Sequence, residues 1–110
     1  MRVVVTGGRD YADRARVFAE LNALRPTHIA HGAAGGADTL AHEFARHSRT
    51  TVTTYPADWA SLGKRAGPLR NRRMLDDFRP DAVLAFPGGR GTADCIRAAV
   101  ERGIRVIRIE

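Results

Sequence analysis

Along this chain, short continuous apolar runs alternate with longer segments in which apolar residues recur at helical spacing. Five short runs are apolar or β-branched and are bounded by glycine, proline or polar residues, as buried strands are. They cover residues 3–5, 28–31, 51–55, 82–86 and 104–109. We predict one strand in each of these runs.

In four segments between these strands, apolar residues recur every three or four positions, a spacing typical of amphipathic helices. The four stripes are Val17, Leu21 and Leu24; Leu40 and Phe44; Met74, Leu75 and Phe78; and Ile96 and Val100. Pro26 and Gly103 end the first and last predicted helices, and Pro68 begins the third. Residues 57–67, which hold Trp59 and two glycines, are predicted as a loop.

Strands that alternate with helices predict the α/β class, with a parallel sheet covered by helices on both faces. A chain of 110 residues has the length of one domain. We therefore predict a single Rossmann-like three-layer domain over residues 1–110, with a five-stranded parallel sheet of order 3-2-1-4-5. In such a sheet, ligands bind beyond the carboxyl ends of the strands, where the strand order reverses between strands one and four.

Three glycine-rich turns directly follow predicted strands: the first glycine turn (residues 6–10), the second (residues 32–38) and the third (residues 87–92). Glycine lets backbone N–H groups approach a phosphate, and a helix that follows adds its positive N-terminus. The first and third turns end the two strands that flank the predicted ligand site. The candidate ligand-binding residues in the turns are Gly7, Gly8, Arg9, Gly32, Gly36, Asp38, Gly88, Gly89, Arg90, Gly91 and Thr92.

These turns differ from the two common nucleotide motifs, because the chain has neither a P-loop nor the dinucleotide fingerprint after its first strand. Thr92 and Asp38 lie near helix starts, where each is suited to capping. Thr92 is also suited to binding a phosphate oxygen, and Asp38 to contacting a ribose. Trp59 either anchors the core or a lid, or stacks on a base.

The charge of the chain favours an anionic partner. Eighteen basic residues outnumber twelve acidic ones, for a formal net charge of +6, and all but Lys64 are arginine. Arginine binds phosphate bidentately, although an ordinary solvated surface also carries such charge. In the third predicted helix, Arg70 and Arg73 share a face, so we expect one of them to turn toward the ligand while Arg72 stays solvated.

Neither the cysteine nor the histidines indicate a metal, and we expect no metal and no cofactor. His42 and His47 are five residues apart, about 140° around a helix, so they share no metal-binding face. Cys95 is the one cysteine, which fits a reducing, cytoplasmic compartment, and we interpret it as a buried structural thiol. The apolar run at residues 3–5 is too short for a signal peptide or a membrane span, so we expect no membrane partner.

Motifs around the turns extend over most of the chain. They are TGGRDY at residues 6–11, His31-Gly32 with Gly36-Ala37-Asp38, ADW at residues 57–59, AGP at residues 66–68 with RNRRM at residues 70–74, and FPGGRGTAD at residues 86–94. In combination they resemble the YspA-like, cpYpsA-related branch of the SLOG superfamily. Its relatives include the Lonely Guy phosphoribohydrolases and the Rossmann domain of DNA-processing protein A. The resemblance implies a Rossmann-like fold and a nucleotide-type ligand, and many members are thought to be sensors.

The Lonely Guy enzymes carry Pro-Gly-Gly-x-Gly-Thr-x-x-Glu and an arginine four residues before a methionine. Residues 87–92 match the first part of that motif, and Arg70 stands four residues before Met74. Cys95 occupies the position of the family's catalytic glutamate. Asp94 is a candidate substitute, although it lies about 100° away around the helix.

Three functions follow from these observations. The leading hypothesis is a nucleotide-binding module or sensor, in which Arg70 pairs with the phosphate or ribose side of the ligand. The second is a hydrolase of the N-glycosidic bond of nucleoside 5′-monophosphates, with Arg70 and Asp94 as the catalytic pair. The third is binding of single-stranded nucleic acid through the basic surface. We also expect a homodimer, because related folds often pair through their helices.

Overall fold

Five parallel strands form one sheet in the computed structural model, which describes residues 1–110. The elements are β1 Arg2–Thr6, α1 Arg14–Leu24, β2 His28–His31, α2 Ala37–Ser48, β3 Thr51–Thr54, α3 Trp59–Leu62, α4 Ala66–Phe78, β4 Ala82–Ala85, α5 Arg90–Glu101 and β5 Arg105–Arg108. The strand order is β3-β2-β1-β4-β5, which confirms the predicted fold class and topology.

The valines of β1 show why the sheet is covered on both faces. Val4 lies opposite Ala30 of β2 and Val83 of β4, so β1 is central. Because side chains alternate across a strand, Val3 and Val5 pack with α1 and α2, whereas Val4 packs with α4 and α5. All three valines are fully buried, and each contributes about 1.5–3 kcal/mol of hydrophobic free energy. The result is the expected arrangement of three layers.

One segment differs from its prediction. Most of residues 57–67, predicted as a loop, form α3, a 3₁₀ turn at Gly63–Arg65 and the start of α4, which begins at Ala66 rather than near Pro68. The side chain of Asp58 caps α3, because its Oδ1 accepts a hydrogen bond from the backbone N–H of Ser61 at 3.2 Å. The glycines in this segment mask the helical signal, since glycine is typical of turns and loops.

The parallel direction of the strands brings the three glycine turns to one edge of the sheet. The first, second and third turns follow β1, β2 and β4, which are neighbours in the sheet. The turns also contact one another, because the backbone N–H of Gly8 donates to the carbonyl of Pro87 at 2.9 Å. None of the helices has the length and apolar content needed to cross a bilayer.

Candidate functional site

A cleft of about 320 Å³ lies at the carboxyl ends of the central strands. All three glycine turns contribute to its lining, together with α4 and the start of α3. Ten residues predicted to bind a ligand line it: Gly7, Gly8, Arg9, Gly32, Asp38, Arg70, Gly89, Arg90, Gly91 and Thr92. The other lining residues are Val5, Thr6, Ala34, Trp59, Asn71 and Met74.

The third glycine turn leaves its backbone donors free. Gly89 is the N-cap of α5, and no side chain caps that helix. Among the hydrogen bonds of the loops and helix ends, none has the backbone N–H of residues 88–92 as its donor. A Cβ atom added at Gly89 or Gly91 would meet nothing within 4 Å. The turn therefore offers unpaired N–H groups, a helix N-terminus and open space beside them.

Two predicted ligand residues, Gly36 and Gly88, are absent from the cleft lining. A Cβ atom at Gly36 would collide with the carbonyl oxygen of Gly8, and Gly36 also has a positive φ of 51°. A Cβ atom at Gly88 would collide with the hydroxyl of Thr92 and with the backbone of Gly8. The structure therefore requires these two glycines for the close contact between turns.

The second glycine turn donates backbone hydrogen bonds to a carboxylate of its own. Oδ2 of Asp38 accepts hydrogen bonds from the backbone N–H groups of Gly32 and Ala34, each at 3.1 Å. The side chain is buried, with 4% exposure, although Asp38 lines the cleft. Burial raises the pKa of Asp38 to about 6, because the two backbone hydrogen bonds and Arg70 only partly offset the loss of hydration.

Arg70 of α4 crosses from the helix to the second glycine turn. Its Nη1 donates to the carbonyl oxygens of Gly32 and Tyr55, and its Nε donates to Oδ1 of Asn71 at 2.9 Å. Nη2 has no hydrogen-bond partner in the protein. Every side-chain nitrogen or oxygen that is buried does have a partner, so Nη2 is not a buried atom. Nη2 is therefore open to solvent, whereas the other two nitrogens of this cleft-lining guanidinium are hydrogen-bonded to the protein.

Arg72, which was predicted to be solvated, pairs with Asp94 of α5. Arg72 is not mostly solvated: its Nη1 lies 3.0 Å from Oδ2 of Asp94, and 35% of its side chain is exposed. Asn71 and Arg97 also donate to this carboxylate, at 3.0 and 3.3 Å. Burial raises the pKa of Asp94, but these hydrogen bonds prevail and hold it below its ordinary value. Asp94 does not line the cleft, because α4 draws its carboxylate into the helix interface.

Trp59 lies at the rim of the cleft, with 46% of its surface exposed, so it is not a core anchor. A Cβ atom at Gly67 would come within 3.0 Å of the indole ring, which explains the small residue at that position. The guanidinium carbon of Arg9 lies 5.4 Å from the ring centroid, within the range of a cation–π contact. An aromatic surface and a cation therefore border the entrance.

Sequence reasoning missed two features near this edge of the sheet. Asn71 was part of a recognised motif, but its contacts with Arg70 and Asp94 depend on tertiary packing. Nε2 of His31 lies 2.8 Å from Nδ1 of His42, a pair that joins β2 to α2. Burial lowers the pKa of His31 to about 4, with His42 and Arg70 adding to the effect. No group of three or more His, Cys, Asp or Glu side chains is placed to hold a metal ion.

The parallel order of the sheet and the cleft at its strand reversal define a Rossmann-like α/β protein. A family model described as YAcAr, the YspA, cpYpsA-related SLOG family, matches residues 1–61. The chain is also 40% identical to the Gene 61 protein of Mycobacterium phage D29, in an alignment that covers 96% of this chain and 94% of that protein. The chain therefore belongs to the YspA, cpYpsA-related SLOG family.

Proposed function

We propose that the chain binds a nucleotide or a nucleotide-derived ligand in the cleft, with a phosphate group on the third glycine turn. The observation that carries this proposal is the run of backbone N–H groups at residues 88–92, which have no acceptor in the protein. They stand at the N-terminus of a 12-residue helix, where a phosphate is favoured by the hydrogen bonds and by the helix dipole.

Other groups around the cleft fit the same ligand. Nη2 of Arg70 is free to donate to a phosphate or ribose oxygen, and Arg9 and Arg90 add positive charge to the lining. Trp59 offers an exposed aromatic surface to a planar base. Membership of the SLOG family agrees with a nucleotide-related ligand.

The residues favour binding over hydrolysis of an N-glycosidic bond. Cys95 is fully buried, and burial raises the pKa of its thiol to about 11, so it supplies no negative charge at neutral pH. Asp94 is held by Arg72 and Asn71 outside the cleft lining. Neither residue is placed to stabilise positive charge on a ribose. We therefore propose a binding module or sensor.

A thermal-shift screen of the purified protein tests this proposal. The panel contains nucleoside mono- and diphosphates, cyclic nucleotides and ADP-ribose derivatives. A ligand present at about 100 times its Kd stabilises the folded state by about 2.7 kcal/mol. We expect at least one compound to raise the melting temperature of the wild type and to have no effect on Gly89→Val.

The valine at position 89 has room, but it blocks the approach of a phosphate to the backbone. Ala93→Val is the matched control, because Ala93 is an exposed residue of the same helix that does not line the cleft. It should respond to ligand as the wild type does. An equal response from Gly89→Val, or no response from the wild type to any compound, would contradict the proposal. Free base released during the incubations would instead support a hydrolase.

A further inference from the structure

The two carboxylate oxygens of Asp38 have different surroundings. Oδ2 accepts both backbone N–H groups of the second glycine turn. Oδ1 accepts no hydrogen bond from the protein, although the residue is only 4% exposed. Every side-chain oxygen without solvent access has a hydrogen-bond partner in the protein. Since Oδ1 has none, it is in contact with solvent. Asp38 lines the cleft, so this buried side chain presents one unpaired acceptor to it.

The chemistry of Oδ1 limits what it can bind. An ionised carboxylate accepts hydrogen bonds and repels a phosphate, so its partner must be a donor. Nη1 and Nε of Arg70 are used on Gly32, Tyr55 and Asn71, and its free Nη2 makes no hydrogen bond to Asp38. A ligand that fills the cleft therefore has to supply an O–H or N–H group, or it leaves a buried charge without a partner.

The other cleft groups indicate which donor this is. A phosphate belongs on the third glycine turn, and a planar base belongs against Trp59, which is at the exposed rim. In a nucleotide, the ribose joins these two parts and carries the hydroxyl groups. Nη2 of Arg70 offers a donor on the same wall, so a hydroxyl can donate to Asp38 and accept from Arg70.

We propose that Asp38 binds a ribose hydroxyl of the ligand and makes the cleft selective for ribosyl over deoxyribosyl phosphates. This inference rests on the proposed nucleotide function. It assigns a different role to each oxygen of Asp38: Oδ2 accepts hydrogen bonds from the second glycine turn, and Oδ1 accepts one from the sugar.

The substitution Asp38→Asn separates these roles. The amide oxygen replaces Oδ2 as acceptor for Gly32 and Ala34, so the amide nitrogen faces the cleft and changes the acceptor there into a donor. Asp76→Asn is the matched control, because it removes the same charge from an exposed ion pair with Arg102, outside the cleft. Thermal melts of both variants without ligand verify that they fold.

Calorimetric titrations compare AMP, GMP, CMP and UMP with their 2′-deoxy and 3′-deoxy counterparts. In the wild type and in Asp76→Asn, we expect loss of one hydroxyl to weaken binding at least about tenfold, as a hydrogen bond to a charged group does. In Asp38→Asn, the ribosyl and deoxyribosyl forms should bind within about twofold of each other.

Equal binding of ribosyl and deoxyribosyl forms by the wild type would overturn the role of Asp38 and leave nucleotide binding intact. A preference that survives in Asp38→Asn would overturn it too. IMP is titrated beside AMP to test the amino group of the base. A preference between these two that Asp38→Asn abolishes, with no preference between ribosyl and deoxyribosyl forms, would assign Oδ1 to the base and overturn the inference. Failure of every ribosyl phosphate to bind would overturn the proposed function together with this inference.

Discussion

The second and third glycine turns look alike in sequence and differ in what their backbone binds. Both lead from a strand into a 12-residue helix whose N-cap is a glycine without a side-chain cap. In the second turn, five backbone N–H groups have acceptors within the protein, those of Gly32, Ala33, Ala34, Ala37 and Asp38. In the third turn, no backbone N–H has one.

One position explains much of this difference. The second residue of α2 is Asp38, and the second residue of α5 is Gly91. The carboxylate of Asp38 acts as an internal anion that binds the N–H groups of its own turn. Gly91 has no side chain to do so. Glycine content therefore shows only that N–H groups are accessible, and the residues at the helix start decide whether they remain free for a ligand.

The strongest test of this comparison copies the second turn into the third. Gly91→Asp places a carboxylate at the same helical position, where the added atoms have open space. We expect at least about a hundredfold weaker binding of the best nucleotide from the panel, because the carboxylate occupies the N–H groups and repels phosphate. Without ligand, the variant should be more stable by about 0.3–1 kcal/mol, since an acidic residue complements the helix dipole.

Gly91→Ala controls for the size of the new side chain, because it adds a methyl group and no charge. It should lose at least tenfold less affinity than Gly91→Asp. Similar losses in the two variants, measured by calorimetry, would mean that bulk alone closes the turn and that the comparison with Asp38 is wrong.

Substitutions of two arginines of α4 test which polar groups at this edge are free for a ligand, with smaller expected effects. Arg70→Ala removes the free Nη2 at the cleft, and we expect it to weaken nucleotide binding by about 1.5–3 kcal/mol, the value of a hydrogen bond to a charged group. Arg72→Ala removes the partly exposed pair with Asp94, so it should lower the free energy of unfolding by up to about 1 kcal/mol and leave binding unchanged. Calorimetry and urea unfolding measure the two effects. Equal losses of affinity would indicate a diffuse electrostatic patch.

The last test concerns the internal anion of the second turn, the carboxylate of Asp38. The pKa of Asp38 is about 6 in the folded protein against 3.8 for the free group, so the folded state binds this proton more tightly. Between pH 6 and pH 4, the contribution of Asp38 to the free energy of unfolding therefore rises as pH falls. Relative to Asp38→Asn, the wild type should gain about 2 kcal/mol in free energy of unfolding from pH 7 to pH 4.

His31 has the opposite effect on the free energy of unfolding. Its lowered pKa of about 4 makes the folded state lose stability as pH falls below 6.5. Asp38 is not among the causes of that shift, so the contribution of His31 cancels when the wild type is compared with Asp38→Asn. Urea unfolding of both proteins at several pH values measures the difference. A difference that is constant with pH would show that Asp38 is not destabilised by its burial.

Periodicity was sufficient for the sheet and for the place of the cleft. Runs of β-branched residues and helical stripes predicted five parallel strands and their order, and the turns after β1 and β4 lie at the cleft as expected. These features depend on local hydrophobic patterns and on the right-handed crossovers of parallel strands. The segment at residues 57–67 was predicted wrongly because its two glycines are typical of loops, whereas Asp58 caps a short helix there.

What the sequence by itself determined is the α/β fold, the edge of the sheet where the cleft lies, and the glycines that make its turns. Tertiary structure alone decided which polar atoms stay free at that edge. Arg70 is anchored to Gly32, 38 residues away, and Arg72 is drawn to Asp94, 22 residues away. Periodicity is a local property, whereas a hydrogen bond is satisfied by whichever partner the fold brings within reach.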